Sequence, residues 1–191
     1  MKKPNNYETT QAYGDFTPLE LGGHICKIMK VEETKSKAGN DMVVISLDIA
    51  EGDQKDYFSK QYKADTRENK KWGCTVYQLV EDKDGNTHKG FKTFIKSVEK
   101  SNKGFNSDNI WDDNFANYFK GKFIGGVFGR EQYINQNGEL KWSTKCVQFR
   151  DIETIRKGVE VPEDKYLPGS SNQASATSET VEALDDDDFP F

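Results

Sequence analysis

The sequence predicts a mainly β domain of five strands, with one amphipathic helix between the third and the fourth. Three observations carry that expectation. Proline is absent from residue 19 to residue 161, as a sheet-rich domain requires, because proline removes a ladder donor. Val43, Ile45, Leu47 and Ile49 alternate with smaller or more polar residues, the period of two of a strand. Asn135-Gln136-Asn137-Gly138 stands between two strand-like runs, and Asn-Gly is among the strongest short-range hairpin signals, since both residues tolerate positive φ.

Taken in order, Gly22-Gly23 precede a first strand over 24–35, and a turn at 36–41 hands over to the second, over 42–50. The Glu51-Gly52-Asp53 turn leads to a third strand over 56–63. Residues 64–87 form a long loop with room for an extra hairpin or a short helix. Phe91, Phe94, Ile95 and Val98 fall at i, i+3, i+4 and i+7, the stripe of a helix that closes a core. The fourth and fifth strands cover 122–134 and 139–149. Gly125, Gly126 and Gly129 lack the Gly-Lys-Ser/Thr of a phosphate loop and predict a strand bend or bulge. Three strands, a helix and two strands is the element order of the OB-fold, a five-stranded Greek-key barrel.

The boundaries follow from composition. Residues 1–18 read as an N-terminal arm, 19–167 as the domain, 168–184 as a flexible linker and 185–191 as an acidic tip. The linker run Ser-Ser-Asn-Gln-Ala-Ser-Ala-Thr-Ser has no charge and no large apolar residue. Such a segment cannot bury enough surface to offset its ordering entropy, so the C-terminal tail is expected to be disordered. Hydrophobic residues make up only 34% of the chain while aromatics reach 12%, which points to aromatics used outside the core. The net charge of -5 belongs to the tail. Residues 179–191 hold six acidic groups and no basic ones, leaving 27 basic against 26 acidic groups, net +1, over residues 1–178. Affinity for nucleic acid must then come from a local cationic patch combined with base stacking.

Cys26, Cys74 and Cys146 are odd in number, with no CxxC, and only His24 and His88 could join them. They read as reduced thiols, and no metal or cofactor is expected. No tight acidic motif, nucleophile signature or Walker-type loop suggests an enzyme. Neither a transmembrane run nor a signal peptide is present, so a soluble cytoplasmic protein is expected.

The most specific run is Asp185-Asp186-Asp187-Asp188-Phe189-Pro190-Phe191. It resembles the C-terminal tip of bacterial single-stranded DNA-binding proteins, with Phe189 where those have an aliphatic residue. The physical logic is independent of the resemblance. A terminal Phe ring and its carboxylate fit an apolar pocket beside a basic residue, and the aspartates steer the encounter. The domain is more similar to the proteins of this role in tailed phages and mobile elements of Gram-positive bacteria, through residues 48–52, 125–131 and 142–145. That likeness implies a protein that binds single-stranded DNA in replication, recombination or repair and recruits other proteins of those processes through Asp185 to Phe191.

Binding a single strand takes aromatic faces for bases and cations for phosphates. Two stretches supply both. The first holds Tyr57, Phe58, Lys60, Tyr62 and Lys63, continuing to Arg67, Lys70, Lys71 and Trp72. Read as a strand, it puts Phe58, Lys60 and Tyr62 on one face and Tyr57, Ser59 and Lys63 on the other. The second is the hairpin with Arg130, Tyr133, Lys141, Trp142 and Lys145. These are the expected DNA contacts. The sequence is also compatible with a strand-annealing recombination protein, with a protein-binding adaptor, and with a homo-oligomer.

Overall fold

The computed structural model describes residues 1–5, 7 and 17–168. Its elements are β1 (Gly22–Lys35), β2 (Asp41–Ile49), α1 (Tyr57–Ala64), β3 (Thr75–Leu79), α2 (Lys89–Ser101), α3 (Phe115–Tyr118), β4 (Phe123–Ile134), β5 (Leu140–Arg150) and α4 (Ile152–Lys157), with a 3-10 turn at Ser107–Asn109. The five strands form one antiparallel sheet in the order β3-β2-β1-β4-β5. The expected linker lies outside the described residues from 169 on, as does the whole tip, Asp185, Asp186, Asp187, Asp188, Phe189, Pro190 and Phe191.

Four of the five strands lie where the sequence predicts them; the third does not. Residues 56–63 form helix α1 instead, and the cause is Asp48, a buried residue near the end of β2. Its carboxylate accepts hydrogen bonds from the backbone N–H groups of Phe58 (2.9 Å) and Ser59 (3.1 Å) and from the Ser59 hydroxyl. These are first-turn donors that a helix leaves unpaired. A carboxylate ten residues earlier in the chain therefore caps the helix, and no local pattern announces it. The helix brings Phe58 and Tyr62, four residues apart, to one side and turns Lys60 away. The expected alternation of faces is thus replaced by a helical one.

The missing third strand is β3, inside the segment expected to be a loop. It pairs with β2 from Met42↔Leu79 to Ser46↔Thr75, and a bridge from Glu81 to Thr87 closes a turn after it.

Helix α2 forms as the stripe predicts, with Phe91, Phe94, Ile95 and Val98 all buried. The His88 side chain caps its first turn by accepting from the Gly90 N–H at 3.0 Å. The β4–β5 hairpin turns where expected, with Gly138 at φ 78° and the Asn135 side-chain oxygen Oδ1 accepting from the Asn137 and Glu139 N–H groups. Between Val127 and Phe128 the register slips, because Val127 faces Gln148 while Phe128 faces Cys146. The extra residue is thus Val147 on β5, not one of the β4 glycines. Gly125 and Gly126 serve close packing: a Cβ on Gly125 would come within 2.4 Å of Ile155, and one on Gly126 within 3.2 Å of both the Cys26 and Cys146 sulfurs.

The three thiols meet in the core. Burial pushes all three up, Cys26 and Cys74 well above the ordinary thiol range and Cys146 to about 12. They act as small apolar groups. Among the described residues, no group of three or more His, Cys, Asp or Glu side chains could hold a metal ion. Cys74 directly precedes β3, and its thiol meets the backbone of Cys146 on β5. Residues from the two ends of the strand order thus come together, and α2 packs against β3, β4 and β5. No ladder joins β3 to β5 among the described residues, so the hydrogen bonding is that of an open sheet. No helix among these residues is long and apolar enough to cross a membrane.

Candidate nucleic-acid interface

The first expected group divides between core and surface. Phe58 is only 4% exposed and stacks on Phe128 with ring centroids 6.3 Å apart, so it is a core residue and not a base platform. Tyr57 is half-buried and presses edge-on against Phe58; burial raises its hydroxyl pKa.

Trp72 lies in the loop between α1 and β3 but is not loose. Its indole N–H donates to the Leu47 carbonyl at 2.6 Å, and its ring meets Tyr62 at 5.6 Å. Lys70 then places its ammonium 4.5 Å from the centre of the Tyr62 ring. Lysine, tyrosine and tryptophan thus form a short stack rooted on β2.

Beside that stack runs a groove of about 560 Å³ lined by Tyr62, Asp65, Arg67, Lys71 and Gly73, among others. Arg67 is not free to meet a phosphate unaided, since its guanidinium holds Asp65 through Nε (3.0 Å) and Nη2 (2.7 Å). Those hydrogen bonds hold the Asp65 carboxyl down at about 2. Lys60 points its ammonium to the Lys55 carbonyl, while Lys63 and Lys71 are exposed.

The second group sits on the β4–β5 hairpin. Antiparallel register sets Trp142 opposite Gln132 and Thr144 opposite Arg130, so Arg130 reaches diagonally over Trp142, 4.9 Å from its ring centre. Tyr133 and Lys141 face each other on the other side. Trp142 is 38% exposed, with Ile134 and Leu140 exposed on the same face and Tyr133 exposed on the opposite one.

The segment after α4 returns to cover part of this surface. Lys165 pairs in parallel with β4, its N–H donating to the Arg130 carbonyl and its carbonyl accepting from the Gln132 N–H, both at 2.9 Å. This positions Asp164 against the Arg130 guanidinium, with Nε at 2.9 Å, and Tyr166 edge-on to Trp142 at 5.3 Å. Glu131 receives both Lys145 (3.0 Å) and Lys165 (3.1 Å). Burial would raise its pKa, but those two hydrogen bonds prevail and hold it below the usual range. Arg130 and Lys145 therefore arrive with carboxylate partners already in place, and Lys141 has Glu139 at 3.3 Å.

The two groups rest on different elements, and the connection between them runs through the core pair Phe58–Phe128. Sequence reasoning missed three features. Tyr166 and Asp164 belong to a segment that reads as the approach to a linker. Trp111, 60% exposed and stacked on Phe115 at 5.6 Å, falls in a loop with no periodicity. A row of lysines on α2 was legible as the polar side of the same helix whose apolar side was read. Neither the family models nor the curated proteins compared with this chain gave a match.

Proposed function

We propose that this chain binds single-stranded DNA without strong sequence preference, on an OB-type barrel, as a non-enzymatic component of replication, recombination or repair. The observation that carries the reading is that each of the two expected groups has a cation over an accessible aromatic ring, Lys70 on Tyr62 and Arg130 on Trp142. That is the pairing of flat faces and positive charge which a stacked, phosphate-bearing strand requires. The barrel reading is supported by the strand order, by a helix between β3 and β4 that packs on both end strands, and by the meeting of Cys74 with Cys146. A five-stranded sheet whose ends approach around one core is curled in the manner of a partly open barrel. The recruitment of partner proteins by residues 185–191 rests on the sequence of that tip alone.

Trp142 provides the test. Trp142→Ala should weaken binding to oligo(dT) by about 1–3 kcal/mol, the cost of losing one stacked base. Its stability should change by less than about 1 kcal/mol, as for an exposed side chain. A folded variant that binds as tightly as the parent would remove the hairpin from the interface.

A further inference from the structure

The strongest positive feature of the body lies away from both aromatic groups. From residue 89 to residue 103 the chain holds Lys89, Lys92, Lys96, Lys100 and Lys103 against a single acidic residue, Glu99. That is net +4 in a body whose net charge over residues 1–178 is only +1. Steps of three and four residues place Lys89, Lys92, Lys96 and Lys100 along one side of α2, Lys103 lies in the turn just after it, and all five are exposed. The opposite side is the buried Phe91, Phe94, Ile95 and Val98 stripe.

Lys92, Lys96 and Lys100 line one wall of a shallow groove of about 260 Å³, with Thr93 and Ser97 between them and Phe149, Arg150 and Asp151 opposite. Its acidic groups are already engaged. Both Asp151 oxygens cap α4, accepting from the Thr154 N–H and hydroxyl at 2.9 Å each. Glu99 accepts from Ser107 and pairs with Lys96 at 2.6 Å, an exposed pair that a competing anion can open. Phe149 is buried, so the groove offers cations and hydroxyls but no ring for a base.

We infer that this α2–β5 groove is a second nucleic-acid-binding surface, which takes the phosphodiester backbone of a strand already engaged at the aromatic groups. The inference rests on the proposed function. Helix geometry spaces Lys92, Lys96 and Lys100 about 6 Å apart along the axis, and the helical row from Lys89 to Lys100 spans about 16 Å. A row of that length fits a polyanion with regularly spaced charges better than four consecutive aspartates. Contacts there are to phosphates alone, so they add affinity without sequence preference, and only for strands long enough to reach both surfaces.

The test compares the full chain with its Lys92→Gln/Lys96→Gln/Lys100→Gln variant on oligo(dT) of about 8 and about 30 nucleotides, a range that spans the site of one OB domain. The 8-mer should bind both proteins within twofold. The 30-mer should bind the variant about tenfold more weakly at low salt, with a log–log salt slope shallower by about 2. Thermal melting should coincide, since all three lysines are exposed. Equal loss on both lengths, or no loss on either, would overturn the inference while leaving DNA binding itself intact. A variant that binds the 30-mer more tightly, and that no longer responds to deletion of residues 169–191, would assign the groove to the acidic tail instead. Failure of the parent protein to bind either oligonucleotide would remove both readings together.

Discussion

Asp48 decides the local structure of the candidate interface more than any aromatic residue does. It is buried and accepts from three backbone N–H groups, those of Ile49, Phe58 and Ser59, and from one hydroxyl. Asp48→Ala leaves the first-turn donors of α1 without a partner in a buried place. That should cost about 2–3 kcal/mol and appear as a lower urea midpoint with an unchanged slope. The loss should carry Tyr62 and the lysines of α1 with it. Trp72 is tied in the same way through Leu47, so Trp72→Ala should destabilise the fold by at least about 2 kcal/mol. A binding defect in that variant would report unfolding as much as lost stacking, which makes Trp142 the cleaner probe. These ties also mark where sequence reading ends. The aromatic and basic residues of 57–72 are plain in the sequence, but Asp48 and Leu47 act on them from ten and twenty-five residues away.

At the scale of elements, what is locally encoded was legible and what depends on distant partners was not. The Asn135–Gly138 hairpin and the Phe91–Val98 stripe carry their own turn chemistry and period. Strand β3 is five residues long and only Gln78 in it is fully buried, the other four being half-buried, so it is too short and has no apolar alternation with which to announce itself. The segment around Lys165 is less legible still, because its attachment to the β4–β5 hairpin is made of long-range contacts: two backbone hydrogen bonds, two salt bridges, a hydrogen bond from the Leu167 N–H to the Gln132 side chain and an edge-on ring. That attachment has a pH dependence. Asp164 and Glu131 are both held below the usual carboxyl range, so their contribution is complete above about pH 4–5 and is lost as pH falls through their lowered values. As pH falls through those lowered values the Trp142 indole resonance should shift as Tyr166 and Asp164 leave, while that of Trp72, bonded to a carbonyl, should not. A Trp142 resonance that stays in place until the whole domain unfolds in acid would contradict this. The same contact predicts that Asp164→Asn, by freeing Arg130, raises the affinity for oligo(dT) by about two- to fivefold.

Across the whole molecule the charge is partitioned: near balance over residues 1–178, with six carboxylates in residues 179–191. A tethered anionic segment competes with phosphates for the same cations at low ionic strength. Deleting residues 185–191 should leave the melting transition of the domain in place and leave oligo(dT) affinity unchanged or higher at low salt. Capture of replication or recombination proteins from a bacterial lysate should be lost in the same deletion. Phe191→Ala should separate the two effects, keeping DNA affinity and losing the partners. Identical partners in all three lanes would reduce the tip to a solubility device.

The central claim is that the body prefers a single strand to a duplex, because its cations are nearly balanced by carboxylates and its stacking faces can be reached only by unpaired bases. The most direct measurement is a titration of intrinsic tryptophan fluorescence with oligo(dT) and, in parallel, with a duplex of the same length at two salt concentrations. Saturable quenching by oligo(dT), at least about tenfold tighter than by duplex and weakening with salt less steeply than for a highly basic protein, is the predicted result. Equal affinity for the two, or no response to the single strand, would contradict it.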